Sequence, residues 1–229
     1  ADKNVAVGAR AMLVNTTGGY NTAVGYQALT ANTTANNNVA MGYNSLQANT
    51  TGANNVALGK DALYSNTTAN NNTAVGYDSL QANTTGTANV ALGKSALEAN
   101  TTADNNTGIG FSALAANTTG TGSTAVGVYA GDAVSTGNYN TAIGYQASGA
   151  VTTGANNTSL GAFALDAVTT ASDNTAIGYG TLTDNTSGAN NTAVGKMALG
   201  ANTTANRNTA VGTSALAANT TGADNIAIG

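Results

Sequence analysis

Side chains able to do chemistry are few in this chain, and they are of few kinds. Its 229 residues contain no His and no Cys, so imidazole bases, thiolate nucleophiles and thiolate metal ligands are absent. Acid-base work would fall to carboxylates, Tyr and Lys. The carboxylates Asp61, Asp78, Glu98, Asp104, Asp132, Asp166, Asp173, Asp184 and Asp224 occupy scattered positions that read as solvated surface. Asp61 and Asp78 recur at one spacing and could share a calcium ion, but calcium takes about six to eight oxygen ligands and no further set accompanies them. The glycine-rich "GVYAGDAVSTG" lacks the Lys-Ser/Thr ending of a phosphate loop. The expectation is no enzyme, no cofactor and no metal.

Three groupings point to binding instead. Tyr26, Tyr43, Lys60, Tyr77, Lys94, Phe111, Tyr145, Tyr179 and Lys196 recur at multiples of seventeen residues, a column whose rings could grip a cell-surface glycan or receptor. Its blander reading is a stacked ladder at a corner of the fold, or part of a chain-chain contact. Asn-Thr-Thr or Asn-Thr-Ser triplets at Asn15, Asn32, Asn49, Asn66, Asn83, Asn100, Asn117, Asn185, Asn202 and Asn219 match the glycosylation acceptor pattern. Turn chemistry explains them without sugar, because Asn and Thr bond nearby backbone. The Thr columns suggest an ice-binding lattice, yet the paired Thr are consecutive and would face opposite ways on an extended strand.

Charge removes other classes. Six Lys and Arg stand against ten Asp and Glu, for a net charge of -4, so no basic stripe offers itself to nucleic acid. No apolar run approaches the roughly 18 residues that cross a bilayer, which predicts no membrane insertion in this segment. The opening "ADKNVAVGAR" has no charged-then-apolar signal architecture and reads as mature or excised chain.

What positions these residues is a repeat. Units start at 4, 21, 38, 55, 72, 89, 106, 123, 140, 157, 174, 191, 208 and 225, so thirteen whole units of seventeen precede a partial one. Such spacing without insertion suits one solenoid array over residues 1–229 whose coils stack in register. Counting from the first residue of each unit, position one is Asn except Ser123. Position two is Thr, Val or Ile, position three is mostly Ala, and position four is Val, Ile, Leu or Met. Position five is Gly throughout, including Gly25, Gly42, Gly59, Gly76, Gly93, Gly110, Gly127 and Gly144. Position fifteen swaps Gly and Ala in near alternation, which suggests duplication of a 34-residue double unit with no chemical meaning.

N-T-A-V-G has the period of a strand, one per coil, pairing parallel with its copy and laddering like over like. The Asn ladder at position one is expected to exchange amide hydrogen bonds along the stack. Gly at position five either adopts a conformation barred to other residues or admits a close neighbour. The stretch x-x-A-L-x-A-N-T-T reads as a short helical turn or a second short strand. In the units carrying Gly131 and Ser148 at position nine, Val134 and Val151 appear at position twelve. Nine and twelve share a helix face, which favours the turn. One coil buries too little to stand alone, since about 2 kcal/mol per Val or Leu meets about 1 to 2 kcal/mol of backbone entropy per ordered residue. Thirteen coils at about 4.8 Å would stack to roughly 60 Å. Positions two and four form one face and three and five the other, both with buried character. Thr at position two is expected inside, and the face not lining the coil is expected to pack on sister chains.

Stretches such as "NTAIGYQA" (140–147), "NIAIG" (225–229) and "NTAVGYQALTANTT" resemble the head repeats of YadA-like trimeric autotransporter adhesins and the repeat arrays of bacteriophage tail fibres. The resemblance covers essentially the whole chain, although this coil is longer than the adhesin-head coil. It implies a β-solenoid (parallel β-helix or β-roll) in a homotrimeric fibre at a cell surface, on a virion or otherwise extracellular, with a structural role in surface attachment. It also implies that Val24, Met41, Leu58, Val75, Leu92, Ile109, Val126 and Ile143 hold the chains together. An ice-binding solenoid and a purely structural filament or matrix protein are the alternatives.

Overall fold

The computed structural model describes residues 3–229. The chain is a parallel β-solenoid of about thirteen coils with a seventeen-residue repeat, and among the described residues it has no helix. Its contacts fall into two compact units, residues 1–112 and 113–229. The first carries β1 (Val5–Val7), β2 (Thr22–Val24), β3 (Val39–Met41), β4 (Val56–Leu58), β5 (Thr73–Val75), β6 (Val90–Leu92) and β7 (Thr107–Ile109). The second carries β8 (Thr124–Val126), β9 (Thr141–Ile143), β10 (Thr158–Leu160), β11 (Thr175–Ile177), β12 (Thr192–Val194), β13 (Thr209–Val211) and β14 (Ile226–Ile228). Within each unit every strand pairs in parallel with its copy, so Thr22 faces Val39, Ala23 faces Ala40 and Val24 faces Met41.

The pleat decides which residues make the interior. Ala23, Ala40, Ala57, Ala74 and Ala91 point inward and are fully buried by their own chain, with Leu29, Leu46, Leu63, Leu80 and Leu97 from position nine packed in the same interior. Positions two and four therefore point outward and are only part-covered. This corrects two expectations: Thr at position two lies on the outer face, and the alanine stripe is covered within the coil rather than by a companion subunit. The face left without a cover is that of positions two and four.

Neither a helical turn nor a second strand follows the glycine. Positions seven and nine both take left-handed backbone, as at Gln27 (φ 55°) and Leu29 (φ 53°), and so does position seventeen, as at Asn37 (φ 60°). These residues bend the chain into corners whose N–H groups bond between coils. Leu29 N–H donates to the Ser45 carbonyl at 3.0 Å and Asn44 N–H to the Tyr26 carbonyl at 2.9 Å. A left-handed Leu costs on the order of 1 to 2 kcal/mol, an amount similar to what burying its side chain contributes. Positions nine and twelve do both face inward, as the paired substitutions indicated, but through this corner. In the second unit the space where Gly131 lacks a side chain is shared by Leu114 and Val134, whose Cδ2 and Cγ2 lie 3.1 and 3.5 Å from the missing Cβ position.

Two asparagine ladders tie the coils together. At position one, Asn72 Oδ1 accepts the backbone N–H of Asn89 at 2.9 Å, while its Nδ2 donates to the Gly86 carbonyl at 2.9 Å. At position twelve, Asn83 Nδ2 donates both to Asn66 Oδ1 at 2.9 Å and to the same Gly86 carbonyl at 2.9 Å. Each ladder thus satisfies buried groups that the short strands cannot reach. In the second unit Val134, Val151 and Val168 interrupt the position-twelve ladder.

The two-coil alternation has a structural meaning, contrary to the reading as bare duplication. A polar side chain at position sixteen of one coil accepts the position-sixteen N–H of the coil before. Asn36 does so from Gly19 at 2.7 Å, Asn70 from Ala53 at 2.6 Å and Asn206 from Ala189 at 2.7 Å. At Gly52 a Cβ would overlap the Ala69 carbonyl oxygen and lie 2.5 Å from Asn49 Oδ1, so these glycines are required where they stand. The position-five glycines meet both conditions set out for them. From Gly25 to Gly144 they hold φ between 131° and 140°, and a Cβ on Gly25 would come within 2.7 Å of the Gly42 carbonyl carbon.

Candidate functional site

Strands one coil apart lie about 4.8 Å from each other, close to the separation at which aromatic rings stack. A residue repeated at one outward position therefore meets its copies without further design. In the first unit the column at position six runs Tyr26, Tyr43, Lys60, Tyr77, Lys94 and Phe111. Tyr26 and Tyr43 stack with centroids 5.3 Å apart and planes at 16°. Lys60 Nζ then sits between two rings, 6.0 Å from Tyr43 and 4.7 Å from Tyr77. Lys94 Nζ sits 5.6 Å from both Tyr77 and Phe111. The ring members remain between 37% and 48% exposed, so this is a surface ladder of alternating π-faces and cations.

Beside it lies the uncovered apolar stripe of position four: Val24, Met41, Leu58, Val75, Leu92 and Ile109 in the first unit, Val126 and Ile143 in the second. Met41 is 44% exposed and Ile143 36%, and the other six are half-buried. The outer face thus presents a file of aliphatic side chains flanked by a file of rings and ammonium groups.

In the second unit the column is broken. Ala162 separates Tyr145 from Tyr179, and Phe163 from position seven leans between them, edge-on to both at 5.4 and 5.9 Å. Lys196 is exposed one coil beyond Tyr179. Sequence reasoning missed Phe163, which stands at position seven, outside the column; the signal was an aromatic where most coils carry a polar residue.

Among the described residues Asp61 and Asp78 each meet other side chains. Asp61 is engaged by Lys60 Nζ at 2.7 Å and by Asn44 Nδ2 at 3.0 Å, and Asp78 by Gln81 Nε2 at 3.1 Å. No cluster of three or more His, Cys, Asp or Glu residues is found among the described residues. Burial raises the Asp78 carboxyl above the ordinary carboxylate range, against the hydrogen bond from the Tyr77 hydroxyl. Burial likewise raises Asp132 and Asp166.

The Asn-Thr-Thr triplets are turn chemistry. The amide nitrogens of Asn32, Asn49, Asn66 and Asn83 are buried and bonded in the ladder, leaving no room for a glycan at these four in the folded coil, whereas Asn15 and Asn219 are half-buried. The first Thr of each pair bonds forward, as Thr33 Oγ1 to the Thr50 carbonyl at 3.2 Å and Thr50 Oγ1 to the Thr67 carbonyl at 3.1 Å. The second, including Thr34, Thr51, Thr68 and Thr85, is exposed.

Compared with protein-family models, with curated proteins and with solved structures, the chain has no significant match.

Proposed function

We propose that the chain is a rigid structural segment of a homotrimeric fibre, extracellular, at a cell surface or on a virion, used for attachment to a surface. The observation that carries this reading is the uncovered outer face: an apolar position-four file that a sister chain would cover, beside a ladder of rings and ammonium groups that a receptor could grip. Its role is mechanical rather than catalytic. Interlocked ladders resist bending, and repetition multiplies weak contacts so that avidity replaces single-site affinity.

The partner suited to the ladder is a cell-surface glycan, whose C–H faces pack on rings while its hydroxyls meet Lys60 and Lys94. The test displays the chain on beads and measures retention on glycan-coated surfaces, with Tyr26→Ala, Tyr43→Ala and Tyr77→Ala combined as the variant. Loss of retention with unchanged circular dichroism is expected. Retention equal to that of the unaltered chain would defeat the receptor role. A second reading, ice binding, draws on the exposed file of second Thr residues; it requires thermal hysteresis and faceted ice crystals.

A further inference from the structure

The most irregular place in this regular array lies in the second unit. Position seven is polar through the whole first unit, as Arg10, Gln27, Asn44, Asp61, Asp78, Ser95 and Ser112, yet three successive coils later carry Phe163, Gly180 and Met197. The result is a notch of about 340 Å³ lined by Phe163, Asp166, Tyr179, Gly180, Thr183 and Met197. That volume lies at the lower end of the range for small-molecule sites. Gly180 is not there for its backbone, because Gln27 and Gln146 hold the same left-handed conformation at φ 55° and 52° against 60° for Gly180. What the glycine supplies is room: a Cβ there would come within 2.8 Å of Met197 Sδ and 3.3 Å of Thr183 Oγ1, so the methionine packs over bare backbone as one apolar wall of the notch.

The walls have a specific chemistry. The Phe163 and Tyr179 rings stand at 82° with centroids 5.9 Å apart, forming a corner of π-surface, and the Met197 side chain closes the other side. Asp166 contributes the one carboxylate. A group suited to such a corner is positively charged and apolar at its surface. A primary ammonium brings three strongly hydrated N–H donors, and the ring faces and thioether that wall the notch are poor acceptors for them. An alkylated ammonium brings none. We propose that this notch binds a quaternary ammonium group, caged by Phe163, Tyr179 and Met197 and balanced by Asp166. The site does not depend on the ladder of the first unit or on the fibre reading.

The chain contains three methionines, Met12, Met41 and Met197, so the ε-methyl carbons labelled with 13C give one reporter in the notch and two controls outside it. Titration with choline is expected to shift the Met197 signal saturably at millimolar concentration and to leave Met12 and Met41 unmoved. Ethanolamine and the uncharged isostere 3,3-dimethylbutan-1-ol are expected to bind at least about tenfold more weakly. Asp166→Asn is expected to weaken choline about tenfold. Gly180→Gln installs a residue that the array already uses at this position and is expected to abolish the shift while the other two methyl signals keep their places. Co-sedimentation with phosphatidylcholine vesicles would identify a lipid headgroup as the source, and a choline response without it a free solute. No saturable Met197 shift, an equal response to the isostere, or a full response in Gly180→Gln would overturn the proposal.

Discussion

Replacing Asn72 tests how the coils are held together. Its side chain is fully buried and makes two bonds at once, accepting Asn89 N–H at 2.9 Å and donating to the Gly86 carbonyl at 2.9 Å. In Asn72→Ala the Gly86 carbonyl keeps Asn83 Nδ2 as a donor, so the loss there is one ordinary hydrogen bond, about 1 kcal/mol. Asn89 N–H has no substitute, and an orphaned buried donor costs about 1 to 3 kcal/mol. The sum is about 2 to 4 kcal/mol. Asn72→Asp separates the two roles, because the carboxylate can still accept from Asn89 but sets negative charge against a carbonyl oxygen in the interior. Protonated, it could donate to Gly86 as the amide does. Burial raises the folded-state pKa of such a group, so the native state favours the proton more than the unfolded chain does. The variant is therefore most stable below the unfolded carboxylate range and loses stability as pH rises above that range towards the raised folded value. Amide exchange at Asn89 reads the effect locally, with an acceleration of roughly 30- to 700-fold expected for Asn72→Ala. Urea unfolding of the Asp variant between pH 3 and pH 7 reads the second. An Asn89 amide exchanging at its original rate, or an Asp variant indifferent to pH, would refute the reasoning.

Gly52→Ala should destabilise by about 1 to 3 kcal/mol, although Ala stands at the same position one coil on; Ala69→Gly should cost under about 1 kcal/mol, and equal unfolding midpoints for the two variants would contradict the two-coil account. Leu80→Ala, emptying a fully buried site, should cost about 2 to 5 kcal/mol in the same unfolding measurement. Asp132→Asn should raise the unfolding midpoint at pH 7 and not at pH 3. The Asp132 carboxyl is raised chiefly by burial, so its ionised form weakens the fold as pH climbs above the unfolded value. Leu58→Glu with Leu92→Glu should leave the circular dichroism of the coil intact and lower the molecular mass in solution.

The period, the strand and the like-over-like register were legible because in-register stacking admits no length change, and Thr22, Ala23 and Val24 already show strand alternation. Which strand face turned inward was not. Ala23 is small enough for either side, and Val24 is apolar enough for either. The corner was hidden for a different reason. Left-handed backbone is announced in a sequence by Gly or Asn, and Asn37 carries that signal, whereas Leu29 is a poor resident of that conformation and stays there because the interior covers its side chain. The surface ladder was legible as a column but not as alternating rings and cations, since only the coil spacing brings Lys60 between Tyr43 and Tyr77. The notch went unseen because Gly180 acts by what it lacks, and a missing side chain has meaning only once its neighbours are placed.

The central claim is that the outer apolar file is covered by sister chains. Sedimentation equilibrium at micromolar concentration tests it most directly. The account predicts one species of three 22.2-kDa chains, about 67 kDa in all, and a stable monomer of 22.2 kDa would contradict it.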